Sequence, residues 1–290
     1  LKTVFGQYVP PEIVDEMSRN PDQNFSVDGE SREMSVLFCD IRSFTTISES
    51  LAADELKKLL NYFFTPMTRI IFEQRGTIDK YVGDMIMAFW GAPVRDPGHS
   101  QHAVEAALAM LDELDGIQDE LKERGWPAVN VGIGINTGMM NVGDMGSEYR
   151  RAYTVIGDAV NLGSRLEGLT KYYGVRLIVS ETTAANLKGM ALRCLDRVKV
   201  KGKHEPVTIY EPVGKVDSVG DEILDEIRQS NQALDYYFAG DWENARSAFQ
   251  ALRDATPECR LYALYLERID MLRSEGVSQG WNGVFEHTSK

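Results

Sequence analysis

The stretch that decides the fold is GTIDKYVGDMIMAFWG, residues 76–91. It contains two runs of apolar and β-branched side chains, separated by a glycine and Asp84. A glycine and a short acid between two such runs predict a β-hairpin with Asp84 at its tip. Upstream, the apolar run MSVLFCDI at residues 34–41 predicts a buried strand that ends at a second acid, Asp40.

Helical patterns alternate with these strands. Apolar side chains recur at helical spacing in residues 54–75, 100–124 and 157–173, and Pro66 predicts a kink in the first helix. Two further strand pairs are marked by glycines, the last of them around Gly202. Helices segregated against a mainly antiparallel sheet indicate the α+β class, with a ferredoxin-like βαβ core.

A change in composition predicts a domain boundary near residue 215. The segment EPVGKVDSVG, residues 211–220, combines a proline and two glycines with small side chains. Beyond it the chain is acidic and has a helical pattern. We therefore expect a linker at residues 1–30, a principal domain at residues 31–215 and a short all-helical tail at residues 216–290.

The helical tail has small and large side chains in the order of one tetratricopeptide-type helix pair. The positions that carry this pattern are Ala233, Tyr237, Gly240, Trp242, Ala245, Phe249 and Pro257. Because one such unit cannot bury its own apolar face, we expect the tail to pack on the principal domain or on a protein partner.

Composition excludes several classes of protein. The 290 residues include 44 acidic and 31 basic side chains, and the net charge of -13 argues against nucleic-acid binding. The three cysteines lie far apart without CxxC spacing, so neither a disulfide framework nor a zinc site is expected. No apolar run reaches the roughly 18 to 20 residues that span a bilayer. We expect a cytoplasmic chain, attached to a membrane only through a region preceding Leu1.

Asp40 and Asp84 are the first candidates for chemistry. Each stands where an apolar strand meets solvent, and a carboxylate desolvated on one side is unfavourable without a cation. If the strand of residues 34–41 lies beside the hairpin, the two carboxylates face each other. Such a pair would hold Mg²⁺ or Mn²⁺, which prefer oxygen ligands and leave positions open for phosphates. From spacing alone, the two acids could equally belong to unrelated turns.

The residues after Asp40 predict a helix start beside this pair. In IRSFTTIS, residues 41–48, Phe44 and Thr45 stand at the entrance, where free backbone N–H groups bind phosphate. An ordinary helix cap would have the same residues, but the adjacent carboxylate favours a phosphate site next to a metal.

Two more groups suit a nucleotide. Asn161 and Arg165 are four residues apart on one helix face, where an amide and a guanidinium can hold a sugar oxygen and a phosphate oxygen. Gly163 between them favours close approach of another chain or a ligand, although a helix also tolerates a glycine without such a role. The Asn161–Arg165 pair could equally form an ordinary solvated polar face. The cluster KVKGK at residues 199–203 fits a polyphosphate site and a solvated hairpin about equally well.

Together these motifs resemble the class III nucleotidyl cyclase catalytic domain. FCDIRSFT, DKYVGDMIMAFWG, YTVIGDAVNLGSRLE and VKGK stand in the order and spacing of that family, and FGQYVPPEIV at residues 5–14 resembles the linker that often precedes it. The resemblance covers residues 5 to about 213. Thr154, where many members carry Asp, resembles the bacterial subgroup linked to bicarbonate stimulation.

The resemblance implies an adenylyl cyclase that converts ATP to 3′,5′-cyclic AMP and pyrophosphate with two Mg²⁺ or Mn²⁺ ions per site. The implied metal ligands are the side chains of Asp40 and Asp84 and the carbonyl of Ile41. The implied substrate contacts are Lys80 and Thr154 at the adenine, Asn161 at the ribose, Arg165 at the transition state and Lys201 at the terminal phosphates.

The choice of base follows from donors and acceptors. Lys80 offers only donors, which suit the adenine N1 acceptor, and Thr154 can accept from the N6 amino group. Guanine presents a carbonyl and an N1–H, for which family members use an acidic residue at the lysine position. ATP is therefore the expected substrate, and a guanylyl cyclase of the same family is the nearest competing hypothesis.

A diguanylate cyclase and a catalytically silent protein are two competing hypotheses from different classes. A diguanylate cyclase would need a GGDEF-type turn, which the hairpin around Asp84 lacks. A silent sensor or scaffold acting through the helical tail would not need the complete set of site residues that this chain carries.

The resemblance also implies the assembly. In this family the metal ligands of one subunit face the adenine and transition-state residues of the other. A chain that carries both sets implies a homodimer with two equivalent composite sites. The glycine-marked excursion at residues 143–151 resembles the family's dimerisation arm.

Overall fold

The computed structural model describes residues 6, 10–20 and 29–288, which form two compact units, Leu1–Glu167 and Gly168–Lys290. Residues 5 and 7–9 of the linker-like segment at residues 5–14 lie outside the described residues. The predicted boundary near residue 215 stays a prediction. Within the described part of the chain, no helix has the length and apolar character needed to cross a membrane.

The first unit has the predicted α+β architecture. Its elements in chain order are α1 (Pro11–Arg19), β1 (Glu30–Ile41), α2 (Phe44–Ser50), α3 (Ala53–Glu73), β2 (Thr77–Val82), β3 (Met85–Trp90), α4 (His99–Gly116), α5 (Gln118–Glu123), β4 (Val131–Gly146) and β5 (Arg151–Ile156). Helix α6 (Asp158–Tyr173) follows and continues into the second unit. The strand order β2-β3-β1-β4 is antiparallel throughout, as in a ferredoxin-like core, and β5 pairs with β4.

The hairpin of residues 76–91 is confirmed. Strands β2 and β3 pair antiparallel, and the turn between them contains Gly83 at φ +60°, a conformation that glycine adopts without steric cost. Strand β1 lies between β3 and β4, so both of its edges are paired. Its residues 34–39 are all buried, which explains the continuous apolar run.

One sequence prediction about helices needs correction. The helix predicted at residues 100–124 is two helices, α4 and α5, which are separated at Ile117. His99, which starts α4, has a buried side chain whose Nδ1 lies 2.8 Å from the Ser35 hydroxyl. This histidine therefore packs against strand β1 of the sheet.

Helix α6 packs closely on the sheet of the first unit because two glycines face each other. A Cβ atom on Gly163 would lie 2.8 Å from Cγ1 of Val36, and one on Gly134 would lie 2.3 Å from the backbone nitrogen of Glu167. The sequence predicts that Gly163 admits another chain or a ligand. In the structure it instead admits strand β1 of its own chain.

The second unit contains the remaining strands and the tail. Its elements are β6 (Leu177–Ser180), α7 (Glu181–Ala184), β7 (Met190–Lys199), β8 (Val207–Lys215), α8 (Asp221–Phe238), α9 (Trp242–Ala255), α10 (Arg260–Glu275) and β9 (Phe285–Glu286). Strand order is β6-β8-β7-β9. The helical tail is confirmed, and beyond its helices the two-residue strand β9 pairs parallel with β7.

The tail packs on β7. Packing on the principal domain is one of the two arrangements that we expect for it. The Tyr265 hydroxyl donates to the Leu195 carbonyl at 2.6 Å, and the Arg268 guanidinium donates to the Asp196 carboxylate at 2.7 Å. Side chains of the tetratricopeptide-like pattern are buried, namely Ala233, Tyr237, Ala245 and Phe249. The tetratricopeptide assignment itself stays an interpretation.

Two glycines of α6 give a matched test of the close packing. We expect Gly163→Ala to lower the free energy of unfolding by about 1 to 3 kcal/mol, because the new methyl group would overlap Val36. Gly168→Ala makes the same change in open space, and we expect it to raise that free energy by about 0.5 to 1 kcal/mol. Urea unfolding of both variants measures the difference, and equal effects would contradict the packing.

Candidate active site

The carboxylates of Asp40 and Asp84 meet at one end of the sheet. Strand register places Cys39 of β1 opposite Ile86 of β3, so Asp40 reaches the level of the β2–β3 turn. There, Oδ2 of Asp84 accepts a hydrogen bond from the backbone N–H of Ile41 at 2.9 Å. The expected juxtaposition of strand end and hairpin tip is therefore present.

The electrostatics of this carboxylate pair are unfavourable in the absence of a cation. Burial, together with a hydrogen bond and repulsion from Asp40, raises the pKa of Asp84 to about 7. Oδ1 of Asp40 is buried and accepts no hydrogen bond from the described residues. Such an atom is costly unless something else binds it.

The donor set fits Mg²⁺ or Mn²⁺. Both cations prefer oxygen ligands and retain positions for water or phosphate. In the described part of the chain, no group of three or more His, Cys, Asp and Glu side chains is placed to hold a metal. Two carboxylates would leave the remaining ligand positions of such a cation open.

A helix begins immediately after the carboxylate pair, as predicted. The chain leaves β1 at Ile41, and α2 starts at Phe44 after Ser43, whose φ of 56° is left-handed. This conformation costs a serine about 1 to 3 kcal/mol and is concentrated at functional sites. The Ser43 side chain does not cap the helix. The first-turn N–H groups, including those of Phe44 and Thr45, therefore follow Asp40 by only a few residues along the chain.

Lys80 and Thr154 come together through Asp79, the first residue of the motif DKYVGDMIMAFWG, for which the sequence indicates no role. The Thr154 hydroxyl on β5 donates to Oδ2 of Asp79 at 2.6 Å. Lys80 Nζ on β2 lies 3.6 Å from Oδ1 of the same carboxylate, which is fully buried. Asp79 therefore links the two expected base contacts.

A β-bulge places Asp79 in this position. The pairing of β2 with β3 shifts register between Ile78 and Lys80, so Asp79 has no opposite residue. Residues 77–79 are consecutively buried, which a regular alternating strand would not allow. Burial raises the pKa of Asp79, and the Thr154 hydrogen bond and the Lys80 charge oppose that rise. An acid inside an apolar strand is the only sequence signal for it.

The other predicted substrate contacts are exposed or partly exposed side chains on α6 and in a turn of the second unit. Asn161 is exposed and Arg165 is partly exposed on α6, and neither side chain makes a hydrogen bond or ion pair to the described residues of the two clusters. Gly163, two positions after Asn161, lies on the opposite face of the helix, against the sheet. Lys201 is exposed in the β7–β8 turn of the second unit.

Comparison with known proteins identifies what the chain resembles. Residues 27–211 match the family described as "Adenylate and Guanylate cyclase catalytic domain". A protein named "Adenylate cyclase" from Anabaena cylindrica is 40% identical over 216 residues, which cover 71% of this chain and 42% of the relative. The chain thus spans less than half the length of that relative.

Solved structures of both nucleotide specificities share the fold. The crystal structure of an adenylyl cyclase from P. aeruginosa superimposes with a TM-score of 0.62 at 34% identity, covering 67% of this chain and 100% of that one. A guanylyl cyclase structure gives a TM-score of 0.60, also at 34% identity, covering 66% of this chain and 97% of that one.

The raised pKa of Asp84 predicts a pH-dependent effect on stability. From about pH 4 to about pH 7 the folded protein keeps a proton that the unfolded chain has lost, so this carboxyl makes the fold less stable as the pH rises. Asp84→Asn cannot ionise and keeps an oxygen for the Ile41 N–H. We expect the thermal unfolding midpoint of the variant to exceed that of wild type at about pH 8, and to exceed it by less at about pH 5.

The matched control is Asp112→Asn, which removes the same charge from an exposed helical position. We expect its unfolding midpoint to differ from that of wild type by the same amount at both pH values. Mn²⁺ should raise the midpoint of wild type at the higher pH and should have little effect on Asp84→Asn, because a bound ligand stabilises the folded state. A shift for Asp84→Asn that is independent of pH would contradict the assignment.

Proposed function

The chain belongs to the adenylate and guanylate cyclase catalytic domain family, and from this premise we propose that it converts ATP to 3′,5′-cyclic AMP and pyrophosphate. The observation that carries the proposal is the pair of adjacent carboxylates, Asp40 and Asp84, with one buried oxygen lacking a hydrogen bond within the described structure. The name of the Anabaena relative supports the choice of ATP.

Asp40, Asp84 and the carbonyl of Ile41 would hold two divalent cations, Mg²⁺ or Mn²⁺, in each site. When bound, these cations would supply Lewis-acid activation of the ribose 3′-hydroxyl and neutralise charge on the triphosphate. The protein's part is to fix the ligands beforehand. The Ile41 N–H orients the Asp84 carboxylate, and the paired edges of β1 keep Asp40 from moving away.

The remaining groups would act on the phosphates and the ribose. Arg165 and Asn161 would donate hydrogen bonds to charge that develops as the 3′-oxygen bonds to the α-phosphorus and pyrophosphate departs. Donors that are already oriented stabilise such charge most effectively. Lys201 and the backbone N–H groups of Phe44 and Thr45 would hold the terminal phosphates.

Selection of adenine rests on Lys80 and Thr154. The family and the fold do not decide it, since a guanylyl cyclase structure is as similar in sequence as the adenylyl cyclase structure. The Lys80 ammonium can only donate, and adenine N1 can only accept, whereas guanine N1–H would oppose it. A comparison of ATP with GTP turnover by the purified chain tests this choice directly.

A homodimer with composite sites would bring Asn161 and Arg165 of one subunit to the carboxylate pair of the other. Arg165 and Asn161 are not bonded to the carboxylate pair within the described chain. Three apolar side chains on or next to strands β4 and β5 are unusually exposed, namely Met139 at 61%, Tyr149 at 96% and Ile156 at 53%. Exposed apolar surface of this kind favours burial against a second subunit.

Removal of one metal ligand should abolish activity without unfolding the protein. We expect Asp40→Ala to lower kcat/KM for ATP by at least about a hundredfold, because several kcal/mol of charge stabilisation would be lost. Asp112→Ala on an exposed helix face is the control and should retain activity. Cyclic AMP formation with Mn²⁺ is the measurement, and near-normal turnover by Asp40→Ala would reject the metal assignment.

Mixing two inactive variants tests the composite site. Asp40→Ala and Arg165→Ala should each be inactive alone, whereas their mixture should regain activity, since a heterodimer contains one site with both halves intact. Differently tagged chains and a pull-down verify that subunits exchange. If heterodimers form and activity stays at the level of the single variants, the two residues do not serve one site across an interface.

A further inference from the structure

Asp79 is a buried acid beside the expected base contacts, and the reaction described above assigns it no role. Its carboxylate accepts a hydrogen bond from the Thr154 hydroxyl, with 2.6 Å between the two oxygens, and a weaker one from the Val155 N–H at 3.4 Å. Its other oxygen lies 3.6 Å from the Lys80 ammonium. One carboxylate thus contacts both side chains that would face the purine, and these neighbours oppose the rise in pKa that burial causes.

The hydrogen bond to Asp79 determines what the Thr154 hydroxyl can offer a ligand. A threonine hydroxyl has one proton and two lone pairs, and a free one rotates to donate or accept as required. An ionised carboxylate can only accept, so the proton must point at Asp79. Only lone pairs of Thr154 then remain for a base. Because a hydrogen bond to an ionised acceptor is strong, this orientation persists when a ligand binds.

The backbone departs from regular structure at this residue. The bulge between Ile78 and Lys80 removes Asp79 from the pairing ladder and lets its side chain reach Thr154 on β5, while Lys80, its neighbour, stays half-exposed. Bulges next to functional sites commonly redirect a side chain. In a regular strand, Asp79 and Lys80 would project to opposite faces.

From this geometry we propose that Asp79 is a positioning residue that makes Thr154 an obligatory hydrogen-bond acceptor, and thereby sets the preference of the site for a 6-aminopurine over a 6-oxopurine nucleotide. The inference rests on the proposed function, since it assumes that Thr154 faces the base. Adenine N6 donates to such an acceptor. Guanine O6 is itself an acceptor, so its lone pairs would repel those of the Thr154 hydroxyl oxygen.

The test compares kcat/KM for ATP and GTP in the full-length chain. We expect Asp79→Ala to reduce the ATP-to-GTP ratio by about tenfold, because the freed hydroxyl can donate to O6. Thr154→Val removes the hydroxyl and should reduce the ratio comparably. Thr154→Ser, which keeps a hydroxyl that can donate to Asp79, should retain the wild-type ratio.

A double-variant cycle separates orientation from structural damage. In a Thr154→Val background, Asp79→Ala should change the ratio by less than about threefold, since no hydroxyl remains to be oriented. General damage to the pocket would lower kcat/KM for both nucleotides and leave the ratio unchanged. If Asp79→Ala fails to fold, the two Thr154 variants still decide, because a wild-type ratio in Thr154→Val would overturn the proposal.

Failure of the proposed function gives a different result. Wild type that shows no cyclase activity, or no preference for ATP over GTP, would overturn both the proposed function and the role of Asp79. Wild type that prefers ATP, with an unchanged ratio in a folded Asp79→Ala variant, would overturn the role of Asp79 alone.

Discussion

Burial of two neighbouring carboxylates at the end of a paired sheet is the constraint on which the first unit depends. Asp40 and Asp84 are held together by strand pairing, and partial burial raises the pKa of Asp84 to about 7. The fold thus gives up part of its stability to keep two like charges close, as is common for groups that bind cations. The central position of β1 makes this possible, because hydrogen bonds along both of its edges hold the strand end in place.

Close packing of α6 supports the same arrangement from one side of the sheet. Gly163 and Gly134 let the helix approach until backbone atoms meet the strands. Asn161 and Arg165 then point away from the sheet, where a substrate or a second subunit can reach them. The glycine pair therefore orients two polar side chains although it contacts neither of them.

The parts of the site that follow local rules could be predicted from sequence. Asp84 lies at a turn marked by glycine, and Asp40 ends an apolar run, so both positions follow from periodicity and turn chemistry. Asp79 could not be found in this way, because a bulge interrupts the period of two on which strand prediction depends. The partner of Gly163 could not be predicted either, because the sequence does not show whether a helix glycine faces a sheet, a ligand or solvent.

Longer-range features escaped prediction for related reasons. The break at Ile117 follows Gly116, but a single glycine between two helical stretches is often tolerated, so it does not by itself predict a break. Strand β9 has two residues, too few for any pattern, and it exists because β7 has a free edge beside it. Tertiary contacts decide both cases, and propensity is a weak guide where they do.

The bulge in β2 also bears on how nucleotide choice can change over evolutionary time. One residue inserted into β3 opposite Asp79 would restore regular pairing and exchange the faces of the side chains that follow. The pocket would then acquire a different pattern of donors and acceptors while every residue type in it stayed the same. Comparing aligned residue identities would miss such a switch, whereas comparing strand register would reveal it.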